Sequence, residues 1–223
     1  MKKIIFTLLA LVGTMSMNAQ VMKPGMEILK NGVVVATYTA DQADEVVFKE
    51  VPAFPFGQGE AEATGIGKVK WVQLWENGPK FAEYNVGATL ATEYGGYFEW
   101  SSTADIATTQ WGIKWRMPKK AELEALLNNQ NCTCTWTTQN GVKGLLCKGK
   151  ENTAYSSNSV FLPAAGDFYD GRVLNKGNFG NYWSSTASGS INAYFLFFSS
   201  GDLEMFDSSR GVGYSVRAVL AEE

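Results

Sequence analysis

Histidine is absent from the 223-residue chain. Without it no side chain is poised by default to exchange a proton near pH 7 and no imidazole can bind zinc, which excludes Ser–His–Asp and Cys–His catalysis and every His-containing metal site. Charge is sparse as well: Asp, Glu, Lys and Arg make up 18% of the residues, against roughly a quarter in ordinary soluble domains. The 19 basic and 22 acidic side chains leave a net charge of −3. No basic excess can neutralise a phosphate backbone, so nucleic acid is not expected as a partner. The apolar run at residues 4–12 falls far short of the roughly 20 residues a membrane-spanning helix needs, and no transmembrane segment is expected in the mature chain. No acidic spacing resembles a calcium loop, no two acids are seen to converge for hydrolysis, and no catalytic residue, metal or cofactor is predicted.

What the chain has instead is rings and glycine: 7 Trp, 9 Tyr, 13 Phe and 23 Gly, within 45% apolar content. That mixture suits a turn-rich, mainly β scaffold, and the length suits one domain with a small appendage. Lys2 and Lys3 precede the apolar run, and Gly13-Thr14-Met15-Ser16-Met17-Asn18-Ala19 follows it. Charged, apolar and small-residue segments in that order read as a secretory leader cut after Ala19, although Met17 departs from the small-x-small pattern. The protein is therefore expected to be exported, to a periplasm, a cell surface or the medium. Cys132, Cys134 and Cys147 fit such a compartment without defining it. Cys147 can pair with either Cys132 or Cys134, and the plainer alternative is three small buried thiols.

Residues 20–50 read as a β-hairpin segment, because Asn31-Gly32 between β-rich flanks is a type I′ turn signal, with 45–48 as a further short strand. Residues 51–67, with Pro52, Pro55, Gly57, Gly59, Gly65 and Gly67, read as a linker. Residues 68–223 form the main domain. Its clear helix is predicted over residues 119–129, where Leu123, Leu126 and Leu127 share a face and Pro118 stands at the start. Gln139-Asn140-Gly141 predicts a second hairpin turn, and Ser199-Ser200-Gly201-Asp202 a third.

The last third is the least ordinary stretch. No charged residue occurs between Gly177 and Gly201, while Phe179, Tyr182, Trp183, Tyr194, Phe195, Phe197 and Phe198 alternate with Ser, Asn and Gly. Binding loops have that composition, and so does a plain sandwich core with Ser-rich turns. On a strand through residues 193–200, Tyr194, Leu196 and Phe198 face one side and Phe195 and Phe197 the other. Either both faces are covered, or one aromatic pair looks outward as a recognition patch. Residues 95–103 and 180–186 echo one another, too briefly for a repeat architecture.

Trp71-Val72-Gln73-Leu74-Trp75, Phe81-Ala82-Glu83-Tyr84-Asn85-Val86-Gly87, Tyr94-Gly95-Gly96-Tyr97-Phe98, Trp115-Arg116-Met117-Pro118, Phe161-Leu162-Pro163-Ala164-Ala165-Gly166, Tyr182-Trp183-Ser184-Ser185-Thr186 and Ser215-Val216-Arg217 follow in order. Over about residues 69–219 this series resembles the Fibrobacter succinogenes major paralogous domain family of secreted bacterial proteins. The leading hairpin region resembles a segment found ahead of such domains in Bacteroides-like exported proteins. The resemblance implies an α+β, C-type-lectin-like fold of short antiparallel strands, one or two helices and long ordered loops, shared with formylglycine-generating enzymes and retroelement-diversified variable proteins. It implies a framework of Trp183, Tyr194, Leu196, Phe198, Leu203, Arg210, Val216 and Arg217. Outward ligand-binding positions would be Phe195, Phe197, Ser199, Glu204, Phe206, Asp207, Ser208, Val212 and Tyr214, the kind of position that a retroelement diversifies in such variable proteins. The motifs of calcium-dependent sugar binding are missing, and no Cys follows Cys147 to supply the oxidase chemistry. Lys119 stands where the family has a capping Thr.

The function expected from these readings is a non-catalytic, exported recognition module that binds a protein or glycan through C-terminal aromatic anchors with a polar rim. A structural subunit of a surface assembly, such as a pilus tip or adhesin, is the alternative, and a formylglycine-type oxidase stands third.

Overall fold

The computed structural model describes residues 25–30, 33–39 and 54–221. The leader at 1–19 and the strand expected at 45–48 lie outside the described residues. The chain divides into two compact units, 1–51 and 52–223. In the first, β1 (Gly25–Lys30) pairs antiparallel with β2 (Val33–Thr39), Lys30 opposite Val33, while the turn expected at Asn31-Gly32 lies outside the described residues.

The second unit begins earlier than the sequence suggests. β3 (Gln58–Ala63) and β4 (Gly67–Val72) form a hairpin out of residues read as linker. Gly65 and Gly67, at φ 79° and 82°, supply the left-handed turn between two strands rather than a flexible tether. Glu60 and Glu62 lie opposite Lys70 and Lys68, an alternation that keeps charge on one face and Ala61, Ala63 and Val69 on the other.

The chain continues through β5 (Phe81–Ala82), α1 (Ile106–Trp111), β6 (Trp115–Arg116) and α2 (Lys120–Leu127). Next come β7 (Cys132–Gln139), β8 (Val142–Gly149) and β9 (Ser159–Pro163), an antiparallel sheet whose first turn is the predicted Asn140-Gly141, with φ 49° and 80°. A small hairpin, β10 (Asp167–Tyr169) and β11 (Arg172–Leu174), precedes β12 (Gly180–Ser188), β13 (Asn192–Phe198) and β14 (Leu203–Ser209), which pair in that order. Finally β15 (Val219–Leu220) inserts between β5 and β6, completing a five-stranded sheet in the order β3-β4-β5-β15-β6. The unit is thus mostly antiparallel β with two short helices among the described residues, an α+β arrangement. No helix there is long and apolar enough to cross a membrane.

Two buried clusters flank β12–β14. One holds Trp111, Trp115, Trp183, Phe195, Tyr214 and Val216, and the other Leu123, Leu126, Leu145, Tyr182, Leu196 and Phe198. Strand parity accounts for the division, because register partners share a face: Trp183 with Phe195, and Tyr182 with Leu196. Each fully buried side chain of this size contributes roughly 1.5–3 kcal/mol. The Arg217 guanidinium is buried as well. It donates to Asn85 Oδ1, to the Ala82 and Glu83 carbonyls and to the Phe161 carbonyl, over 2.9–3.1 Å, tying the C-terminal segment to β5 and β9.

Candidate recognition surface

The face of β12–β14 that carries Trp183 and Phe195 grades from core to surface. Tyr214 is fixed by a β-bridge to Phe98 and lies 4.5 Å from Trp183 and 4.6 Å from Phe195, centroid to centroid. Phe195 then meets Phe206 at 6.3 Å, Phe206 meets Phe197 at 5.8 Å, and Phe197 meets Phe179 at 5.5 Å. Tilted and edge-on rings at these separations attract through their quadrupoles beyond simple burial. Accessibility rises along the path: Phe195 and Tyr214 are 7% exposed, Phe197 and Phe179 are half-buried, and Phe206 is 45% exposed.

This corrects the outward placement of Phe195 and Tyr214. The strand is covered on both faces near its middle because Trp183, Tyr214 and Val216 cap one side while Leu196 and Phe198 enter the other cluster. Only the part beyond Phe206 and Phe197 opens to solvent. Val212 also packs partly against the first cluster, and Ser199 serves its turn by accepting from the Gly201 and Asp202 amides. Ser208 is half-buried and hydrogen-bonds the Tyr214 hydroxyl. Burial, opposed by that bond and helped by nearby Asp167, pushes the Tyr214 phenol above its usual range. Of the nine predicted positions, Phe206 and Glu204 stand exposed on this face, with Phe197 and Ser208 beside them. Asp207 is exposed on the opposite face, accepting from Asn192 Nδ2 at 2.8 Å.

Sequence reasoning missed two contributors. Phe179 enters the sequence argument through composition alone, and the β10–β11 hairpin is not among the predicted turns, although Asp170-Gly171, at φ 49° and 72°, is a hairpin dipeptide. That hairpin exposes Phe168, Tyr169, Val173 and Leu174. Phe168 exchanges two backbone hydrogen bonds of 2.8 Å with Gly213 and stacks on Tyr97, which places the hairpin beside the Tyr214 loop. A Cβ at position 213 would lie 3.1 Å from that of Phe168, tighter than side chains usually pack, so any larger residue there would push Phe168 back by a few tenths of an ångström.

The brief echo between residues 95–103 and 180–186 has a structural counterpart. The Trp100 indole donates to the Ser184 carbonyl at 2.8 Å, and the Trp183 indole to the Phe98 carbonyl at 2.7 Å. Each segment's tryptophan therefore satisfies the other's backbone. Arg210 stacks its guanidinium 4.4 Å over Trp100 and donates to the Asn192 and Gly189 carbonyls. It acts as a framework residue.

A second concavity, an open groove of about 1000 Å³ beside β3, β6 and β15, is lined by charges, two pairs of which already meet each other. Arg116 grips Glu122 in a two-pronged pair at 2.6–2.7 Å, and Lys68 meets Glu60 at 2.5 Å. Among the described residues no three His, Cys, Asp or Glu side chains converge as a metal site would need. The cysteines resolve into a Cys134–Cys147 disulfide and a buried free Cys132 thiol. Register decides the pairing, since Cys134 lies opposite Cys147 whereas Cys132 lies opposite Gly149. Burial pushes the Cys132 thiol up to about 11, only partly opposed by Lys150.

No family model matches the chain, and neither the curated proteins nor the solved structures hold a match to it.

Proposed function

We propose that this chain is an exported, non-catalytic recognition module of C-type-lectin-like fold, related to the Fibrobacter succinogenes major paralogous domain proteins, that holds a protein or glycan ligand on Phe179, Phe197 and Phe206. Glu204 and Ser208 form the polar rim. The observation that carries this reading is the ring-to-ring path from buried Trp183 through Tyr214 and Phe195 to exposed Phe206. Rings backed by a rigid core offer contact area at little entropic cost, which is what binding anchors require. The uncharged stretch from Gly177 to Gly201 lets a ligand settle there without desolvating ions. The Cys134–Cys147 disulfide supports the export reading, because such bonds persist in oxidising compartments.

The test compares the wild-type protein with a Phe179→Ala/Phe197→Ala/Phe206→Ala variant on glycan and protein arrays, followed by titration calorimetry of each ligand found. Loss of at least about tenfold in affinity, the scale of a modest anchor, is expected. Equal binding of every ligand by both proteins would remove the reading.

The surface-assembly alternative draws on a different observation, the separate N-terminal unit with its own β1–β2 hairpin. It expects deletion of residues 22–49 to abolish assembly while leaving array binding intact.

A further inference from the structure

β14 is the outer strand of its sheet, and its main chain reveals which groups point away. The bonds Ser199 N–H to Asp202 O and Arg210 N–H to Ile191 O close the ladder at its two ends, with unbroken register between them. In an antiparallel ladder bonded pairs alternate with unbonded ones. Glu204, Phe206 and Ser208 therefore exchange bonds with β13, while Leu203, Met205 and Asp207 turn their N–H and C=O groups outward. Among the described residues, no hydrogen bond reaches those outward main-chain groups. Edge strands are normally blunted by proline, by charged side chains, lysine above all, by a bulge or by shortness, and the charges β14 carries are the acids Glu204 and Asp207. β14 has seven residues, regular register and neither proline nor lysine.

Side chains around the edge define what would fit. Leu203 and Met205 offer apolar surface on one face and Phe206 on the other. Asp202, Glu204 and Asp207 are exposed along it, and residues 199–209 contain no base. Arg210, the next residue, is held by Trp100 and two carbonyls. A second copy of β14 would bring the same carboxylates against these and no base of its own, which disfavours self-pairing.

We propose that β14 is a docking edge for an extended, basic segment of a protein partner, which adds a strand to the β12–β14 sheet. The incoming main chain bonds Leu203, Met205 and Asp207, its lysines or arginines meet Asp202, Glu204 and Asp207, and its aliphatic residues cover Met205 and Phe206. This inference goes beyond the aromatic strip, since it uses main-chain groups rather than rings as the primary contact.

Hydrogen exchange of the full chain, followed by NMR, tests the free edge. The Leu203, Met205 and Asp207 amides should exchange quickly while those of Glu204, Phe206 and Ser208 are protected. Protection of the first three in the monomer means that the chain already covers this edge, and overturns the proposal. Selection of a displayed library of random 12-residue peptides on the full chain should enrich extended sequences that combine aliphatic residues with Lys or Arg, each kind on both faces of the strand, since Glu204 and Phe206 share one face and Met205 and Asp207 the other. A synthetic peptide of the enriched sequence should lose at least about tenfold in affinity against Met205→Pro, and similarly against Glu204→Lys. Proline at 205 removes an outward N–H without touching the β13 ladder, as edge strands tolerate. Should that variant fail to fold, Glu204→Lys and alternate N-methylation of the peptide decide. A Phe179→Ala variant, whose ring meets Phe197 rather than β14, should keep peptide affinity within about twofold of wild type, which separates this edge from the strip. No enrichment, enriched peptides without basic residues, insensitivity to all edge changes, or a wild-type dimer in sedimentation that Met205→Pro dissolves would each overturn it.

Discussion

Arg217 is the largest buried polar side chain among the described residues, and every oxygen it hydrogen-bonds is neutral: Asn85 Oδ1 and the carbonyls of Ala82, Glu83 and Phe161. Burial lowers its guanidinium to about 10, with Tyr182 and Glu83 opposing the shift, so it remains charged at neutral pH. Five fixed donors in a plane suit this arrangement where a single ammonium does not. Arg217→Met should therefore cost about 3–5 kcal/mol by stranding the oxygens, and Arg217→Lys should rescue only a minor part. Urea unfolding of the three proteins checks both. The sequence supplied the framework role by resemblance, yet nothing in it identified the oxygens, which come from segments up to 135 residues away.

Cys132 poses the same limit more sharply. Composition left Cys147 free to choose between two partners, and only the β7–β8 register separates them. A thiol raised to about 11 is almost wholly protonated at pH 8, and this one is 1% exposed. Iodoacetamide at pH 8 should leave the native, unreduced protein unmodified and add one label once denaturant is present. Mass spectrometry reads the difference, and rapid native labelling would contradict the assigned burial.

At the scale of elements, α2 shows how tertiary contacts make up for a weak local signal. Lys119 offers no acceptor to the first turn, as the sequence suggests, and Thr186 on β12 instead accepts from the Lys120 amide at 3.0 Å. Glu122 completes the other half by accepting the Lys119 N–H at 2.6 Å while it holds Arg116. Burial raises the Glu122 carboxyl, but the Arg116 and Lys119 bonds outweigh it and hold the group below the usual carboxylate range. A carboxyl depressed in the folded state contributes stability that is present above its unfolded value, near 4.5, and is lost as pH falls through the folded value. The stability gap between wild type and Glu122→Gln should thus be widest near pH 7 and narrow progressively below about 4.5. Denaturation midpoints measured from pH 7 to pH 3 test it, and a gap that does not change with pH would contradict the assigned pairing.

For the whole molecule, local patterns and overall burial parted company at two places. Parity on β13 correctly separates Leu196 and Phe198 from Phe195 and Phe197, but parity cannot tell what covers a face. The cover over Phe195 comes from Tyr214 and Trp183, which lie outside the strand. Residues 58–67 fail differently, because glycines that serve a hairpin look like those of a tether. Gly59 is needed since the Trp71 ring lies where its Cβ would be, 2.6 Å away, and the Glu62 carbonyl accepts the Trp115 indole N–H at 3.0 Å. Thr64 also bonds the Trp111 carbonyl at 2.9 Å. β3 is therefore part of the first cluster's wall, and losing it uncovers Val69, Trp71 and the long edge of β4 together. A chain beginning at residue 54 should unfold cooperatively, with a midpoint close to that of the full protein. One beginning at residue 68, where composition alone would cut, should lose cooperativity or aggregate, because an uncovered apolar face and an unpaired edge arise at the same site. Thermal unfolding followed by near-ultraviolet circular dichroism distinguishes these outcomes, and equal midpoints for the two shortened chains would show that β3 is dispensable to the fold.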